Sequence, residues 1–287
     1  MLSRKDGSRQ CRLRLPNIPP ELSLVRRRGM LACCWPGAEK IAVIQAITFD
    51  LWDTLIRETS ESARRVKEAR IRNLYVFLQS QEYPGTLDQV ERAHDKVGER
   101  LQEVWARHED AGAEEQVRFF LEALDDGWEM PQDRMALANL EWAYVSAVLQ
   151  ALPLLNHGAI ELLSGLTGQY RLGLICNTGR VPGTMLKIIL RRLGILEHFD
   201  VLTFSDVVGI RKPDPKIFHL TLEPLGISPD HALHVGDTVS TDIHGARGVG
   251  MWAVHLGSSE VSLPKDGRVR AMEALGELPQ ILEEVQG

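Results

Sequence analysis

Five polar residues follow apolar segments of the chain, some directly and some after a short connection, and their side chains could do chemistry together. They are Asp50, Asn177, Lys212, Asp237 and Asp242. A carboxylate can act as a nucleophile that forms a covalent ester, and several carboxylates can bind a hard divalent cation. A lysine and an amide can bind an anionic substrate and stabilise charge that develops on it. These residue types predict an enzyme site, provided that the fold brings them together.

Short apolar segments precede these residues and are typical of buried strands. They are Ile41–Phe49, Leu172–Cys176, Val201–Phe204 and Ala232–Val235, and Trp252–His255 follows as a fifth. Segments with helical spacing alternate with them at Ala159–Leu166, Gly183–Leu193, Pro215–Leu225 and Thr241–Gly248. Alternation of strands and helices predicts an α/β fold with a parallel sheet.

Strands of a parallel sheet present their carboxyl ends to a common crevice, where ligands bind. The five polar residues are therefore expected to converge at one edge of the sheet. Several carboxylates in one crevice repel one another unless a cation lies among them. Mg²⁺ prefers oxygen ligands and accompanies phosphate, so the sequence predicts a Mg²⁺ site there.

The helical stretch 60–149 interrupts the alternation directly after the first strand. Its helices are predicted at Ala63–Gln79, Leu87–Arg107, Glu114–Leu124 and Asp133–Leu149. We predict that 60–149 is a separate helical unit inserted into a core formed by 41–59 and 150–287.

Residues 1–40 differ from the rest of the chain in charge and texture. They contain nine Lys or Arg and three Asp or Glu, whereas the remainder has 24 basic and 36 acidic residues. We predict a basic extension without regular structure over 1–40, which is either an ordinary tail, an upstream start before Met30, or a targeting segment. The acidic remainder argues against nucleic acid as a partner, although one cleft can still bind a small anion.

Four cysteines, Cys11, Cys33, Cys34 and Cys176, show no spacing typical of a zinc site or a disulfide framework. They favour a reducing compartment, and we predict a cytoplasmic protein. No apolar stretch reaches the length of a membrane span, so no membrane contact is expected. The sequence does not specify an oligomeric state.

Four motifs together resemble those of the haloacid dehalogenase-like hydrolase superfamily. They are Phe49–Leu55 (FDLWDTL), Ile175–Asn177 (ICN), Lys212–Phe218 (KPDPKIF) and Gly236–Arg247 (GDTVSTDIHGAR). The match covers roughly residues 45–256 in the order of the family, and each motif lies at the end of a predicted strand. The resemblance implies a Rossmann-like core with an α-helical cap, which 60–149 would form.

The resemblance also assigns roles to the polar residues. Asp50 is the expected nucleophile, Thr54 holds it through a hydroxyl hydrogen bond, and Lys212 bridges it to the anionic substrate. Cys176 and Asn177 are expected to bind the substrate.

The expected Mg²⁺ ligands are Asp50, the backbone carbonyl of Trp52, Asp237 and Asp242, the last directly or through water. Phosphatases of the family carry an acid/base Asp where this chain has Trp52. An indole cannot titrate, so general acid catalysis is expected to be lost. Asp53 is one residue away, and that shift is expected to turn its side chain elsewhere.

Three functions remain open on the sequence. The first is a Mg²⁺-dependent phosphatase or phosphotransferase that acts on a small anionic metabolite. The second is a 2-haloacid dehalogenase-like enzyme, which Trp52 favours because dehalogenases carry an aromatic residue there. Asp237 argues against it, since the dehalogenases replace this acid with a neutral residue. The third is a non-catalytic member that binds a ligand, which Trp52 and Cys176 both suggest.

Overall fold

The computed structural model describes residues 43–124, 133–258 and 261–287. The predicted extension 1–40, with Cys11, Cys33 and Cys34, lies outside the described residues. In the described part of the chain the strands are β1 (Ala46–Phe49), β2 (Ile56–Arg57), β3 (Leu154–Leu155), β4 (Arg171–Cys176), β5 (Val201–Phe204), β6 (Ala232–Gly236), β7 (Trp252–Leu256) and β8 (Val269–Met272).

Six of these strands form one sheet in the order β5-β4-β1-β6-β7-β8, and every neighbouring pair is parallel. The chain leaves β1 towards β4 and β5, and then crosses to the other side of β1 for β6, β7 and β8. The strand order therefore reverses at β1, which is where ligands bind in open α/β sheets. The predicted α/β class with a parallel, Rossmann-like sheet is confirmed.

The helices described in the chain, numbered in order, are α1 (Ser60–Ser80), α2 (Leu87–Trp105), α3 (Ala113–Leu124), α4 (Arg134–Val145), α5 (Ala159–Leu166), α6 (Gly183–Arg192), α7 (Ser205–Val208), α8 (Pro215–Leu225), α9 (His244–Gly248) and α10 (Leu278–Gln286). None of them has the length and apolarity to cross a membrane.

Helices α1 to α4 pack mainly on one another: α2 packs on α3, and α1 packs on α4. Thr59 and Thr86 precede α1 and α2 and cap them, because each side chain accepts a hydrogen bond from a backbone N–H of the first helical turn. Buried residues of α2 recur every three or four positions, for example Val97, Leu101 and Val104. Each of these helices thus buries one apolar face, as the periodicity predicts. Their role as a cap stays a prediction.

Several predicted boundaries are wrong. Strand β1 begins at Ala46, later than the predicted start at Ile41, although the backbone of Gln45 already hydrogen-bonds with Arg171 and His231. Helix α4 ends at Val145 and continues as a 3₁₀ segment, Ser146–Gln150. The predicted helix Thr241–Gly248 begins instead with a π-helical turn at Val239–Ile243.

No sequence prediction covered β8 or α10. In β8 two residues are half-exposed, one is exposed and only Met272 is buried, because this strand lies at the sheet edge and lacks a continuous apolar run. Helix α10 buries Leu278, Ile281, Leu282 and Val285, a spacing that is typical of an amphipathic helix. That spacing is the sequence signal from which α10 could have been predicted.

Candidate active site

Three neighbouring strands carry the first polar residues of the site. Asp50 follows β1, Asn177 follows β4 and Asp237 follows β6. Since β1 lies between β4 and β6, the three residues emerge side by side at the carboxyl edge of the sheet. A cleft of about 240 Å³ opens there, which we call the carboxylate cleft. It is lined by Asp50, Trp52, Asp53, Asn177, Arg211, Lys212, Asp237, Thr238, Thr241 and Asp242.

Lys212 joins two of the carboxylates. Its Nζ lies 2.5 Å from Asp50 Oδ1 and 2.6 Å from Asp242 Oδ1. The lysine side chain is only 1% exposed, so these two ion pairs compensate a buried charge. Asp50 Oδ2 receives no hydrogen bond from the described residues, so this oxygen is available for chemistry.

The backbone and a histidine hold Asp242 in place. Thr238 N–H donates to Asp242 Oδ2 at 3.0 Å, and His234 Nε2 lies 3.3 Å from Asp242 Oδ1. A side chain at Gly236 would overlap the Asp242 carboxyl group, so this position requires glycine. Both oxygens of Asp242 thus have partners within the protein, and its contribution to a metal site is compatible with contact through water.

The two carboxylates that contact Lys212 have pKa values shifted in opposite directions. Burial raises the pKa of Asp50 to about 7, and the charge of Lys212 only partly opposes this. Asp242 behaves oppositely: burial raises its pKa, but Lys212 and His234 outweigh burial and hold the pKa well below its usual range. Burial also lowers the pKa of Lys212, yet the two carboxylates raise it overall. Lys212 therefore stabilises the charges of both carboxylates, with contacts of 2.5 Å to Asp50 and 2.6 Å to Asp242.

The carboxylates also fit a divalent cation. One oxygen from each of Asp50, Asp237 and Asp242 lies within 4.8 Å of the others. Burial, followed by the charge of Asp242, raises the pKa of Asp237. A second positive charge beside Asp50 and Asp237 would keep both ionised at neutral pH, and their oxygens are the ligands that Mg²⁺ prefers.

Asn177 contacts the backbone of Lys212 through both ends of its amide. Lys212 N–H donates to Asn177 Oδ1 at 2.9 Å, and Asn177 Nδ2 donates to Lys212 O at 3.2 Å. The residue therefore ties the loop after β5 to the end of β4. Asn177 also lines the carboxylate cleft, and its predicted contact with substrate stays a prediction.

Two predicted contacts are wrong. Thr54 is fully buried, and in the described residues its Oγ1 makes no hydrogen bond, so it does not hold Asp50. Leu55 and Ile56 donate to Leu51 O, and this turn carries Thr54 into the interior. Cys176, the last residue of a central strand, is also fully buried, and unlike the equally buried Lys212 it does not line the carboxylate cleft, so its side chain does not reach the expected substrate position. Burial raises the pKa of its thiol, which leaves it unreactive.

Trp52 and Asp53 both line the carboxylate cleft. Trp52 is half-buried, whereas Asp53 is exposed and adopts a left-handed backbone conformation with φ of 58°. The charge of Asp53 contributes to the raised pKa of Asp237, so these two carboxylates lie within electrostatic range of each other. Asp53 thus lines the cleft within electrostatic range of Asp237, and its predicted failure to replace the acid/base Asp stays a prediction.

A second cleft, of about 470 Å³, opens between α1, α2 and the loop after β4. We call it the arginine cleft. Its lining includes Trp52, Glu58, Lys67, Arg70, His94, Asp95, Asn177 and Arg180. Trp52 and Asn177 line both clefts, so the two are adjacent.

Sequence reasoning missed Arg70, Arg180 and Asp110. Asp110 lies between α2 and α3, where its fully buried carboxylate pairs with Arg211. No local pattern marks any of the three, because their partners come from distant parts of the chain. A buried arginine within a helix is unusual, but helical periodicity alone does not distinguish it from a solvated charge.

Comparison with known proteins places the chain in a family. A family model of haloacid dehalogenase-like hydrolases matches residues 44–250. The chain is 31% identical over 219 residues to glyceraldehyde 3-phosphate phosphatase of Pyrococcus abyssi, which covers 74% of this chain and 81% of that protein. It is 32% identical over 147 residues to pyrimidine 5'-nucleotidase YjjG of Escherichia coli, covering 50% of this chain and 63% of that protein.

The chain is also 42% identical over 85 residues to haloacid dehalogenase-like hydrolase domain-containing protein 3 of Mus musculus, covering 30% of this chain and 33% of that protein. The matched regions thus span less than two thirds of the length of the Escherichia coli and mouse relatives.

Solved structures show the same fold. A 2-haloacid dehalogenase from Pseudomonas syringae superposes with a TM-score of 0.63 at 23% identity, covering 84% of this chain and 99% of that one. The HAD-hydrolase YfnB from Bacillus subtilis, bound to magnesium, superposes with a TM-score of 0.53 at 23% identity, covering 84% and 99%. The resemblance carried by the four motifs is confirmed, and the chain belongs to the haloacid dehalogenase-like hydrolase family.

Proposed function

We propose that this chain is a Mg²⁺-dependent phosphatase or phosphotransferase that acts on a small phosphorylated metabolite through an aspartyl-phosphate at Asp50. One observation carries the proposal: Lys212 Nζ lies 2.5 Å from Asp50, in a cleft that Asp237 and Asp242 also line. The phosphatases among the relatives support the substrate class.

Asp50 is the nucleophile in this proposal. Its Oδ2 attacks phosphorus, the bond from phosphorus to the ester oxygen breaks, and the leaving group departs with the bonding electrons. Water then attacks phosphorus in the aspartyl-phosphate, which releases phosphate and restores the carboxylate. The covalent intermediate divides one difficult displacement into two easier ones.

Asp50, Asp237 and the backbone carbonyl of Trp52 would hold Mg²⁺, and Asp242 would contribute through water. When bound, the ion neutralises the carboxylates and polarises the phosphoryl group. Lys212 orients Asp50 through its ion pair and presents positive charge to the phosphoryl oxygens. Asn177 keeps the Lys212 backbone fixed, so the ammonium group does not move away from the reacting atoms.

Trp52 limits the leaving groups that this site can serve. An indole donates a hydrogen bond but supplies no titratable proton at neutral pH. We therefore expect good turnover only for groups that leave without a proton, such as aryl or acyl phosphates. The helical unit 60–149 would act as the cap over the core formed by 41–59 and 150–287, where it excludes water and selects substrates.

The dehalogenase alternative has one observation in its favour, the aromatic residue at position 52. Three converging carboxylates count against it. A reaction without metal gains nothing from Asp237, whose charge raises the cost of ionising Asp50. The solved dehalogenase shares the fold at 23% identity and supports no particular reaction.

Hydrolysis of p-nitrophenyl phosphate tests the proposal. We expect turnover with Mg²⁺, little turnover with EDTA, and a loss of at least about 10³-fold in Asp50→Asn. Asp230→Asn, an exposed carboxylate before β6, is the matched control and keeps wild-type rates. Halide release from 2-chloropropionate in EDTA would instead establish a dehalogenase. Mg²⁺ binding without turnover of any phosphate ester would establish a non-catalytic binding protein.

A further inference from the structure

Arg70 is a buried cation whose donors are only partly used. The residue is 3% exposed, and it lines the arginine cleft from α1. Its Nε donates to Tyr144 O at 2.9 Å, and its guanidinium lies 5.0 Å from the centre of the Tyr144 ring. Among residues 43–124, 133–258 and 261–287, no acceptor bonds to either Nη, and no carboxylate forms an ion pair with Arg70. The two Nη groups thus remain free to bind a ligand in the cleft.

Arg180 brings a second guanidinium to the same cleft from the loop after β4. Its Nη1 donates to His94 Nε2 at 2.7 Å, and its Nη2 donates to His94 O at 3.2 Å. A side chain at Gly98 would overlap this guanidinium, so the glycine leaves space on α2 for the Arg180 side chain. Burial, together with the nearby arginines, lowers the pKa of His94 to about 3. The histidine is therefore neutral and leaves the charge of Arg180 uncompensated.

The two guanidiniums lie close enough to repel each other. Burial lowers the pKa of Arg70, and the charge of Arg180 lowers it further. Lys67 and Asp95, which also line the cleft, form their own ion pair at 2.9 Å. Glu58 is within electrostatic range of Arg70 but forms no ion pair with it in the described chain. Of the charged residues that line the cleft, Lys67, Arg70 and Arg180 are opposed only by Glu58 and Asp95, so an excess of positive charge remains beside the buried Arg70. A bound anion would offset the cost of that charge.

We propose that the arginine cleft binds a second anionic group of the substrate, a carboxylate or a phosphate, while the phosphoryl group to be transferred lies at Asp50. The inference rests on the proposed function and narrows its substrate class to doubly anionic phosphate esters. Trp52 and Asn177 line both clefts, so the spacer between the two anionic groups passes these residues. Guanidinium groups suit this role because their planar donors bind two oxygens of a carboxylate or phosphate at once.

Calorimetric titration with phosphonates, which contain no hydrolysable ester bond, tests the proposal without turnover. The probes are phosphonopropionate, which carries a second anionic group, and propylphosphonate, which does not, both with Mg²⁺ present. We expect wild type to bind phosphonopropionate at least about tenfold more tightly, as charge-assisted hydrogen bonds allow. Propylene bisphosphonate in a third titration shows whether a carboxylate or a phosphate is preferred.

Arg70→Gln and Arg180→Gln are expected to remove most of this preference. The matched control is Arg72→Gln, an exposed arginine on the same helix, which keeps it. Equal affinity of wild type for phosphonopropionate and propylphosphonate overturns the inference, even if both arginine variants fail to fold. A folded Arg70→Gln and a folded Arg180→Gln that both keep the preference overturn it as well.

The phosphatase activity and the second anion site can each be disproved without disproving the other. Turnover of p-nitrophenyl phosphate combined with equal phosphonate affinities leaves the phosphatase and removes the second anion site. A preference for phosphonopropionate in a protein that hydrolyses no phosphate ester leaves the anion site and removes the phosphatase.

Discussion

Asp110 accepts a hydrogen bond of 2.7 Å from Arg211, and this ion pair joins the segment between α2 and α3 to the residue before Lys212. The Asp110 carboxylate is fully buried. It also accepts hydrogen bonds from Trp105, Thr178 and Ser205. Because Arg211 lines the carboxylate cleft, the helical unit contacts the proposed active site through Asp110.

Replacing Asp110 should destabilise the protein strongly. Asp110→Asn leaves the largely buried Arg211 without its counter-charge, and such losses cost about 3–5 kcal/mol. We expect a decrease of this size in the free energy of unfolding, measured by urea denaturation. The matched control is the neighbouring Glu109→Gln, which breaks an exposed pair with Arg107 at 2.9 Å and should cost less than about 1 kcal/mol. Similar losses in both variants would show that Asp110 stabilises nothing beyond an ordinary surface pair.

Position 52 should decide which leaving groups are accepted. Trp52→Asp introduces a titratable acid into the carboxylate cleft, and general acid catalysis contributes roughly 10²–10⁴-fold. We expect the rate on alkyl phosphates to rise within this range and the rate on p-nitrophenyl phosphate to change much less. Trp52→Asn is the control, since it removes the indole without adding an acid. A rise of equal size in Trp52→Asn would attribute the gain to space rather than to proton transfer.

Asp237 should determine the affinity for Mg²⁺. Its carboxylate lies within 4.8 Å of those of Asp50 and Asp242, and burial raises its pKa. Asp237→Asn removes one charged ligand, so the Mg²⁺ concentration for half-maximal phosphatase activity should rise at least about tenfold. The measurement is a Mg²⁺ titration of initial rates after chelation and dialysis. An unchanged Mg²⁺ dependence would exclude Asp237 from the metal site.

Asn177 should act through the position of Lys212. Asn177→Ala removes both hydrogen bonds to the Lys212 backbone, each worth about 1 kcal/mol. We expect kcat on p-nitrophenyl phosphate to fall by about 10-fold or more, because small displacements of positioning groups reduce rates strongly. Asn177→Asp keeps the acceptor for Lys212 N–H and should restore part of the hydrogen bonding. If KM rises while kcat is unchanged, the residue contacts substrate only and does not position the lysine.

The stability of the protein should respond to pH through Asp206. Burial raises its pKa from 3.8 to about 6, so the folded state holds a proton that the unfolded state releases between these values. Ionised Asp206 therefore destabilises the folded state progressively as pH rises from about 4 to about 6. Asp206→Asn should gain about 2 kcal/mol relative to wild type over that range.

The comparison between variant and wild type is essential for this measurement, because His94 titrates with the opposite sign. Its lowered pKa makes the folded state more stable as pH rises through the same range. Unfolding free energies at pH 4 and pH 6 give the difference for Asp206 alone. A difference that does not change with pH would contradict the raised pKa.

Local patterns predicted most of the core elements. The apolar segments before Asp50, Asn177 and Asp237 form the strands β1, β4 and β6, and α5 and α8 have the bounds that the spacing predicts. Strand ends position side chains reliably, because a parallel sheet brings the carboxyl ends of its strands to one edge. The sequence thus sufficed to predict the α/β class and to bring Asp50, Lys212 and Asp237 together.

Tertiary structure decided the rest, since it depends on partners that are distant in sequence. Thr54 and Cys176 match motif positions of the family, yet both are fully buried and contact no cleft through their side chains. Arg70 and Arg180 are separated by more than one hundred residues but share one cleft. Burial, hydrogen bonding and electrostatic repulsion act between atoms in space, so only the folded chain determines which charges compensate one another.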